Sequence, residues 1–302
     1  MNKILSKELR RVHLGLSKQI RNLHLASMEN VSTKFMGEYT SRFKGNGIEF
    51  ADFRQYVPSD DASKIDWLHT LKAGKLLVRE YDEERNLTMF FVVDVSNSML
   101  FGSQAQLKHE FAAELVASIA SGALSAGDAV GELLTSSRVS KFTKIALGAR
   151  QFKFLLRDLT SQENYGGKCN IGSAIGRASA LLPPSSLLFI VTDFITHDRS
   201  WKKNIRVAAR KHHVVALVAH DECDHVVLAG VGQIAVQDPY SGEQMLIDSD
   251  RVRERYKHEA KRNLEETVSF LHSSGVQIVM LSTARDFVPV VNAFLRRRVK
   301  WS

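Results

Sequence analysis

Apolar positions follow three different patterns along the chain. Leu5, Leu9, Val12, Leu16, Ile20 and Leu23 recur at spacings of four and three, which predicts one amphipathic helix over residues 1–28. Lys3, Lys7, Arg10, Arg11, Lys18 and Arg21 fill its other faces. No aromatic lies on the apolar stripe, so the stripe is expected to pack on the protein's own core rather than on a membrane surface. Residues 33–86 mix Gly turns, aromatics and charges. Gly45-Asn46-Gly47 marks a turn, Asp60 to Trp67 a short helix capped by Ser59 or Asp60, and Leu76 to Tyr81 a short strand. Asp52, Asp60, Asp61 and Asp66 beside Arg54 and Lys64 read as ion pairs that fix the fold.

From residue 87 onward, short apolar runs alternate with helical periodicity. Met89 to Asp94 predicts a buried strand and Gln104 to Leu124 a helix. Ala129 to Thr135 and Arg138 to Leu147 pair as a hairpin across Ser136-Ser137. Helices follow over Ala149 to Leu159 and Ile171 to Leu182, where Pro183-Pro184 stops the second. Leu187 to Thr192 is a strand ending at Asp193, Trp201 to Lys211 a helix, and Val214 to Ala219 a strand. Gly232 to Asp248 is a small hairpin turning at Asp238 to Gly242. A long helix over Arg251 to Leu271, a strand over Val276 to Leu281 and a helix over Phe287 to Arg298 close the chain.

This alternation specifies an α/β fold, a doubly wound and mostly parallel sheet with helices on both faces. The expected organisation is an N-terminal helix and arm over residues 1–86 packed on a main domain over 87–302, with a hairpin insertion near 228–248. Ligands of such sheets bind beyond the C-terminal strand ends, where strand order reverses.

Composition narrows the class. The chain has 302 residues, 44% hydrophobic and 25% charged, as in ordinary soluble proteins. No apolar run reaches the roughly 18 residues a membrane helix needs, and the N-terminus lacks a signal-peptide core. Two cysteines, Cys169 and Cys223, cannot build a disulfide framework, so a cytoplasmic setting is expected. A net charge of +8 favours acidic partners. Nucleic acid or an anionic membrane surface are the alternatives to a protein, the former resting on Arg296, Arg297, Arg298 and Lys300.

The candidate chemistry sits at two strand ends. Asp94, Ser96 and Ser98 follow one apolar strand and Asp193 follows another, which gives oxygen donors suited to Mg²⁺ or Mn²⁺. The Gly loop Tyr165 to Asn170 is expected to approach the same point. No complete catalytic constellation is present. A haloacid dehalogenase-type phosphatase needs an acid where Ser96 stands, Gln162 and Cys169 break a P-loop, and no Gly-x-Ser-x-Gly elbow occurs. A metal-dependent hydrolase is thus the lesser alternative. His220-Asp221-Glu222-Cys223-Asp224-His225 offers Zn²⁺-type ligands but reads as a solvated loop.

Asp94-Val95-Ser96-Asn97-Ser98-Met99 resembles the metal-ion-dependent adhesion site of von Willebrand factor A domains. Gly45-x-Gly47-x-Glu49-Phe50, Arg54-x-Tyr56, Asp60-Asp61, Ile65-Asp66-Trp67 and Arg79-Glu80 resemble the bacterial "domain of unknown function 58" family. Gly127-Asp128-x-Val130-Gly131, Thr192-Asp193-Phe194 and Leu228 through Asp248 extend that likeness over most of the chain from about residue 35. The resemblance implies a von Willebrand factor A-like fold, a metal held by Asp94, Ser96, Ser98 and Asp193, and a MoxR-type AAA+ ATPase as partner. One departure stands out. In the second loop the family usually has Thr, often followed by Asp, and this chain has Cys169 and Asn170. A thiol is a soft, poor ligand for Mg²⁺.

Overall fold

The computed structural model describes residues 49–297, apart from residues 59, 83–86, 105, 138, 197, 228–229 and 239. The helix expected over residues 1–28 therefore lies outside the described residues, as do Arg298 and Lys300.

The first described element of the arm is a strand that sequence periodicity did not reveal. β1 (Glu49–Gln55) pairs antiparallel with β2 (Leu77–Asp82) in a sheet of their own. The single helix expected around Asp60 to Trp67 is two elements, a 3₁₀ turn (Ala62–Lys64) and α1 (Trp67–Ala73). Their caps are Asp61 and Asp66, which accept from Ser63 N and His69 N, each at 3.0 Å. Asp60 is not a cap. It receives both Arg54 guanidinium nitrogens at 2.6 Å and Val57 N at 2.9 Å, and the Arg54 bonds hold its carboxyl down at about 2. The acids at 60, 61 and 66 thus fix the arm.

The main domain is a six-stranded sheet. Its strands are β3 (Thr88–Asp94), β4 (Ala129–Thr135), β5 (Val139–Ala146), β6 (Leu187–Thr192), β7 (His213–His220) and β10 (Gln277–Ser282). They lie in the order β10-β7-β6-β3-β4-β5. All neighbours are parallel except β4 and β5, which the Ser136-Ser137 turn joins as the expected hairpin. The α/β class read from the sequence is the one observed.

β3 explains this architecture. Its side chains alternate between two cores, and both are sealed. Met89, Phe91 and Val93 face one core, under α2 (Lys108–Ala126) and α3 (Ala149–Thr160). Phe90 and Val92 face the other, under α4 (Ile171–Leu181) and α5 (Ser200–Ala209). A strand buried on both faces reads as an unbroken apolar run, which is why the sequence exposed it. α2 starts four residues later than expected because Glu110 Oε2 accepts from Leu107 N at 2.8 Å and fixes the first turn there. Residues 101–104, 106 and 107 form a loop instead. Beyond β7 come the antiparallel pair β8 (Gln233–Gln237) and β9 (Gln244–Asp248), then α6 (Ser249–Ser273); α7 (Val288–Arg297) is the last described element. Among the described residues no helix is long and apolar enough to cross a membrane.

Strand order turns at β3. The chain moves from β3 to β4 on one side, then crosses to β6 on the other. The crevice between the C-terminal ends of β3 and β6 is the sheet's switch point, and both strands lead into aspartates there.

α4 and α5 pack closely because Gly172 carries no side chain. A Cβ there would press on Ser200 Oγ and lie 2.7 Å from Trp201 N. Gly176 is roomier, with Asn204 Oδ1 at 3.4 Å from its added Cβ. Gly172→Ala should therefore cost about 1–3 kcal/mol in urea unfolding through overpacking. Gly176→Ala should be neutral or stabilising by up to about 1 kcal/mol, from helix propensity.

Candidate metal centre

Three loops meet at the switch point. The first leaves β3 at Asp94, which is fully buried. Asp94 Oδ1 accepts from Ser96 N at 2.9 Å, the local turn that an Asp-x-Ser sequence favours. Ser96 and Ser98 then present their hydroxyls side by side, Oγ to Oγ 3.3 Å. The second loop runs through Gly166 and Gly167 and is stitched to the first by backbone. Gly166 N donates to Val95 O at 2.7 Å, and Asn97 N donates to Gly167 O at 2.9 Å. Gly167 has φ 89°, and a Cβ there would stand 2.8 Å from Ser137 Oγ, so only glycine fits. This loop delivers Cys169 to Asp94. Its thiol donates to Asp94 Oδ2 at 3.2 Å, and burial, then the charge of Asp94, push the thiol pKa up. Cys169 is therefore a neutral donor to the carboxylate rather than an anionic ligand. Asn170 follows at the N-cap of α4 and is not a partner of Asp94.

The third loop leaves β6. Thr192 Oγ1 donates to Asp94 Oδ2 at 2.7 Å, tying the two strand ends together. Asp193 Oδ1 accepts from Ile195 N at 2.9 Å. Asp193 Oδ2 accepts from Lys108 Nζ at 2.7 Å, and the same ammonium donates to Asp224 Oδ1 at 2.9 Å. Burial pushes Asp94's carboxyl up, and the neighbouring Asp193 charge adds to it. Burial alone would push Lys108 down, but Asp193 and Asp224 more than offset this and its pKa lies above the ordinary lysine value.

The structure thus brings Asp94, Ser96, Ser98, Cys169 and Asp193 to one place. Sequence reasoning missed Lys108, Thr192, Asp224 and Tyr240. Lys108 had a legible signal: it falls three, four and seven residues before Phe111, Ala112 and Leu115 on the buried face of an apolar helix, where an unpaired lysine is untenable. Tyr240 sits in the turn between β8 and β9, where Asp238 Oδ1 accepts from Tyr240 N at 2.8 Å and Ser241 N at 2.7 Å. Its hydroxyl donates to Ile195 O at 3.2 Å beside the Ser96 and Ser98 hydroxyls, so the hairpin tip reaches over the site.

The loop from His220 to His225 is not the solvated segment expected. Asp221 is fully buried and accepts from Ser103 N, Cys223 N and Thr283 Oγ1 at 2.9, 2.9 and 3.0 Å. Asp224 is spent on Lys108. Among the described residues no group of three or more His, Cys, Asp or Glu side chains is arranged around a common metal position. The acids of this loop are structural, tying β7 to residue 103 and to the end of β10.

The donor chemistry at Asp94 still fits a hard divalent cation. Two carboxylates and two hydroxyls converge; Lys108 is shared between Asp193 and Asp224, and Asp94 has no ion-pair partner among the described residues. That surplus of buried negative charge is what a cation would relieve. Cys169 adds no hard ligand.

A family model described as "Protein of unknown function DUF58" matches residues 52–266. An uncharacterized protein of Mycobacterium tuberculosis is 25% identical over 287 residues, which cover 94% of this chain and 90% of that protein. A Mycobacterium bovis protein, likewise uncharacterized, matches with the same identity and coverage. Among solved structures, the conserved hypothetical protein BatB of Bacteroides thetaiotaomicron is similar with a TM-score of 0.46 at 16% identity, covering 70% of this chain and 98% of that one. A von Willebrand factor type A protein of Catenulispora acidiphila is similar with a TM-score of 0.33 at 13% identity, covering 62% of this chain and 44% of that one.

Two outcomes follow from the geometry. Lys108→Met leaves Asp193 and Asp224 buried without their cation, and should lower unfolding stability by about 3–5 kcal/mol in urea titration. His109, buried against the Tyr165 ring at 5.0 Å, has its pKa pushed down by burial from 6.5 to about 4. Its contribution is present above 6.5 and is lost as pH falls toward 4, because the unfolded chain takes up a proton that the buried ring refuses. Stability measured against pH should fall over that window, and His109→Gln should flatten the fall.

Proposed function

The chain belongs to the DUF58 family, and from that premise we propose that it is a non-enzymatic protein–protein interaction module whose docking centre is a divalent cation at the switch point of the sheet. One observation carries the reading. Asp94, Ser96, Ser98 and Asp193 converge where strand order reverses, with more buried carboxylate than Lys108 can balance. Asp94 and the two hydroxyls would hold Mg²⁺ or Mn²⁺, with Asp193 nearby. When bound, the ion supplies a Lewis-acidic point with an open position for a carboxylate from another protein.

The chain's own residues do the rest. Lys108 holds Asp193 in place from the side of α2 and Asp224. Thr192 and Cys169 orient Asp94. Tyr240 covers the hydroxyl pair from the hairpin and narrows access to it. Resemblance to the family favours a MoxR-type AAA+ ATPase as the partner offering that carboxylate.

Thermal unfolding of the metal-stripped chain with and without Mn²⁺ or Mg²⁺ tests the centre. At about one hundred times Kd the wild type should gain roughly 5–10 °C, and Asp94→Asn should gain nothing. An equal shift in both proteins, or none in the wild type, overturns the centre. Capture of a MoxR-type ATPase should be lost in EDTA and weakened in Ser96→Ala; capture indifferent to both overturns the bridge.

A further inference from the structure

α5 carries a one-sided row of cations that no part of the candidate metal centre uses. Trp201, Ile205 and Ala208, spaced by four and three, bury one face of this helix. Arg199, Lys202, Lys203, Arg206 and Arg210 fall on the opposite face at helical spacings. Arg199, Lys203, Arg206 and Arg210 are exposed and Lys202 half-buried, and none of the five forms an ion pair among the described residues. Two of them are posed by aromatic rings. Lys202 Nζ lies 5.2 Å from the Phe270 ring centre and 5.7 Å from that of Trp201, and the Arg206 guanidinium lies 4.9 Å from Phe270. Rings under the cations hold the heads in place and lower the entropy lost when an anion arrives.

The row starts at the candidate centre. Arg199 and Lys202 line a cleft of about 540 Å³ whose wall also includes Asp193 and Tyr240. From Arg199 to Arg210 the row runs about 16 Å at the rise of a helix. An extended peptide covers that distance in about five residues.

We propose that the outer face of α5 is a rail for an extended acidic segment of a protein partner, lying next to the residue whose carboxylate the metal centre takes. The proposal rests on the reading of that centre as a partner-docking point and adds the chemistry of the partner: a run of Asp and Glu about five residues long. Charge complementarity selects a peptide over a polyphosphate. The facing wall of the cleft, from α6, carries Glu259 and Glu266, which share Arg262 at 2.6 and 3.9 Å. Two acids against one cation leave that wall net negative, which disfavours a continuous polyanion spanning the cleft, whereas a peptide can confine its carboxylates to the α5 side. The rings beneath Lys202 and Arg206 are covered by those cations and do not offer faces for base stacking.

Fluorescence anisotropy with the full chain tests this. The probes are a labelled Asp/Glu-rich peptide of about ten residues, a single-stranded oligonucleotide and phosphatidylglycerol vesicles, each in Mg²⁺ and again in EDTA. The acidic peptide should bind most tightly, with affinity falling as salt rises. Combined Lys203→Glu, Arg206→Glu and Arg210→Glu should weaken it on the order of tenfold or more, and the corresponding Gln triple by less. Circular dichroism and melting temperature, measured in parallel, establish that both triples are folded. If the Glu triple unfolds, the Gln triple decides, and unchanged peptide affinity in it overturns the rail. No binding of the peptide, unchanged affinity in the Glu triple, or tighter binding of oligonucleotide or vesicle likewise overturns it. Loss in the triples with indifference to EDTA and to Asp94→Asn keeps the rail and removes the metal centre. Loss in EDTA alone does the reverse.

Discussion

The buried ammonium of Lys108 is the interaction on which this site depends. It stands in the first turn of α2, where the helix dipole disfavours a cation, and it is almost wholly withdrawn from water. Only Asp193 and Asp224 make that position tolerable. In return Lys108 ties together the ends of two neighbouring strands and the start of the helix that covers them. The loop bearing Asp193 is therefore braced before any ligand arrives. Asp94 lacks such a counter-charge. It is satisfied by neutral donors, Ser96 N, Thr192 and Cys169, while burial, and then the charge of Asp193, push its carboxyl up. One carboxylate is neutralised from within and the other is held by neutral donors alone, and the proposed metal centre rests on this asymmetry.

Much of this was legible in the chain. β3 and β6 are buried on both faces, so their sequences are unbroken apolar runs, and an aspartate at the end of each marks the edge where ligands bind. The local turn Asp94-Ser96-Ser98 follows from residue type alone. Long-range pairing does not. Lys108 reaches Asp224 across 116 positions, and no periodicity encodes that contact. β1 escaped notice because a strand broken by a bulge lacks clean alternation. The start of α2 was misplaced because Gln104 and Gln106 are good helix formers, and the Glu110 bond that sets the true start is a specific capping contact rather than a matter of propensity. The His220–His225 loop looked solvated for the same reason: its acids are polar by type and buried by context.

The hairpin between β7 and α6 does more than extend the chain. Asp238 folds its tip into a fixed turn, and Tyr240 reaches from that turn to the loop carrying Asp193. A patch of polar atoms at the sheet edge is thereby framed on one side by an aromatic side chain and on another by the cation row of α5. Shape and charge at the mouth of the site are thus set by elements outside the three loops that form it.

The loops that meet at Asp94 are far apart in sequence, with 98 positions between Asp94 and Thr192. During synthesis a nascent chain emerges with Asp94 long before the residues that orient it, and Lys108 emerges before either of its acids. The cluster has no local precursor, and Lys108 has both of its acids only after the ribosome has passed Asp224. A cation that recognises this arrangement has nothing comparable to bind in an unfolded or half-made chain, so its binding would report completion of the sheet.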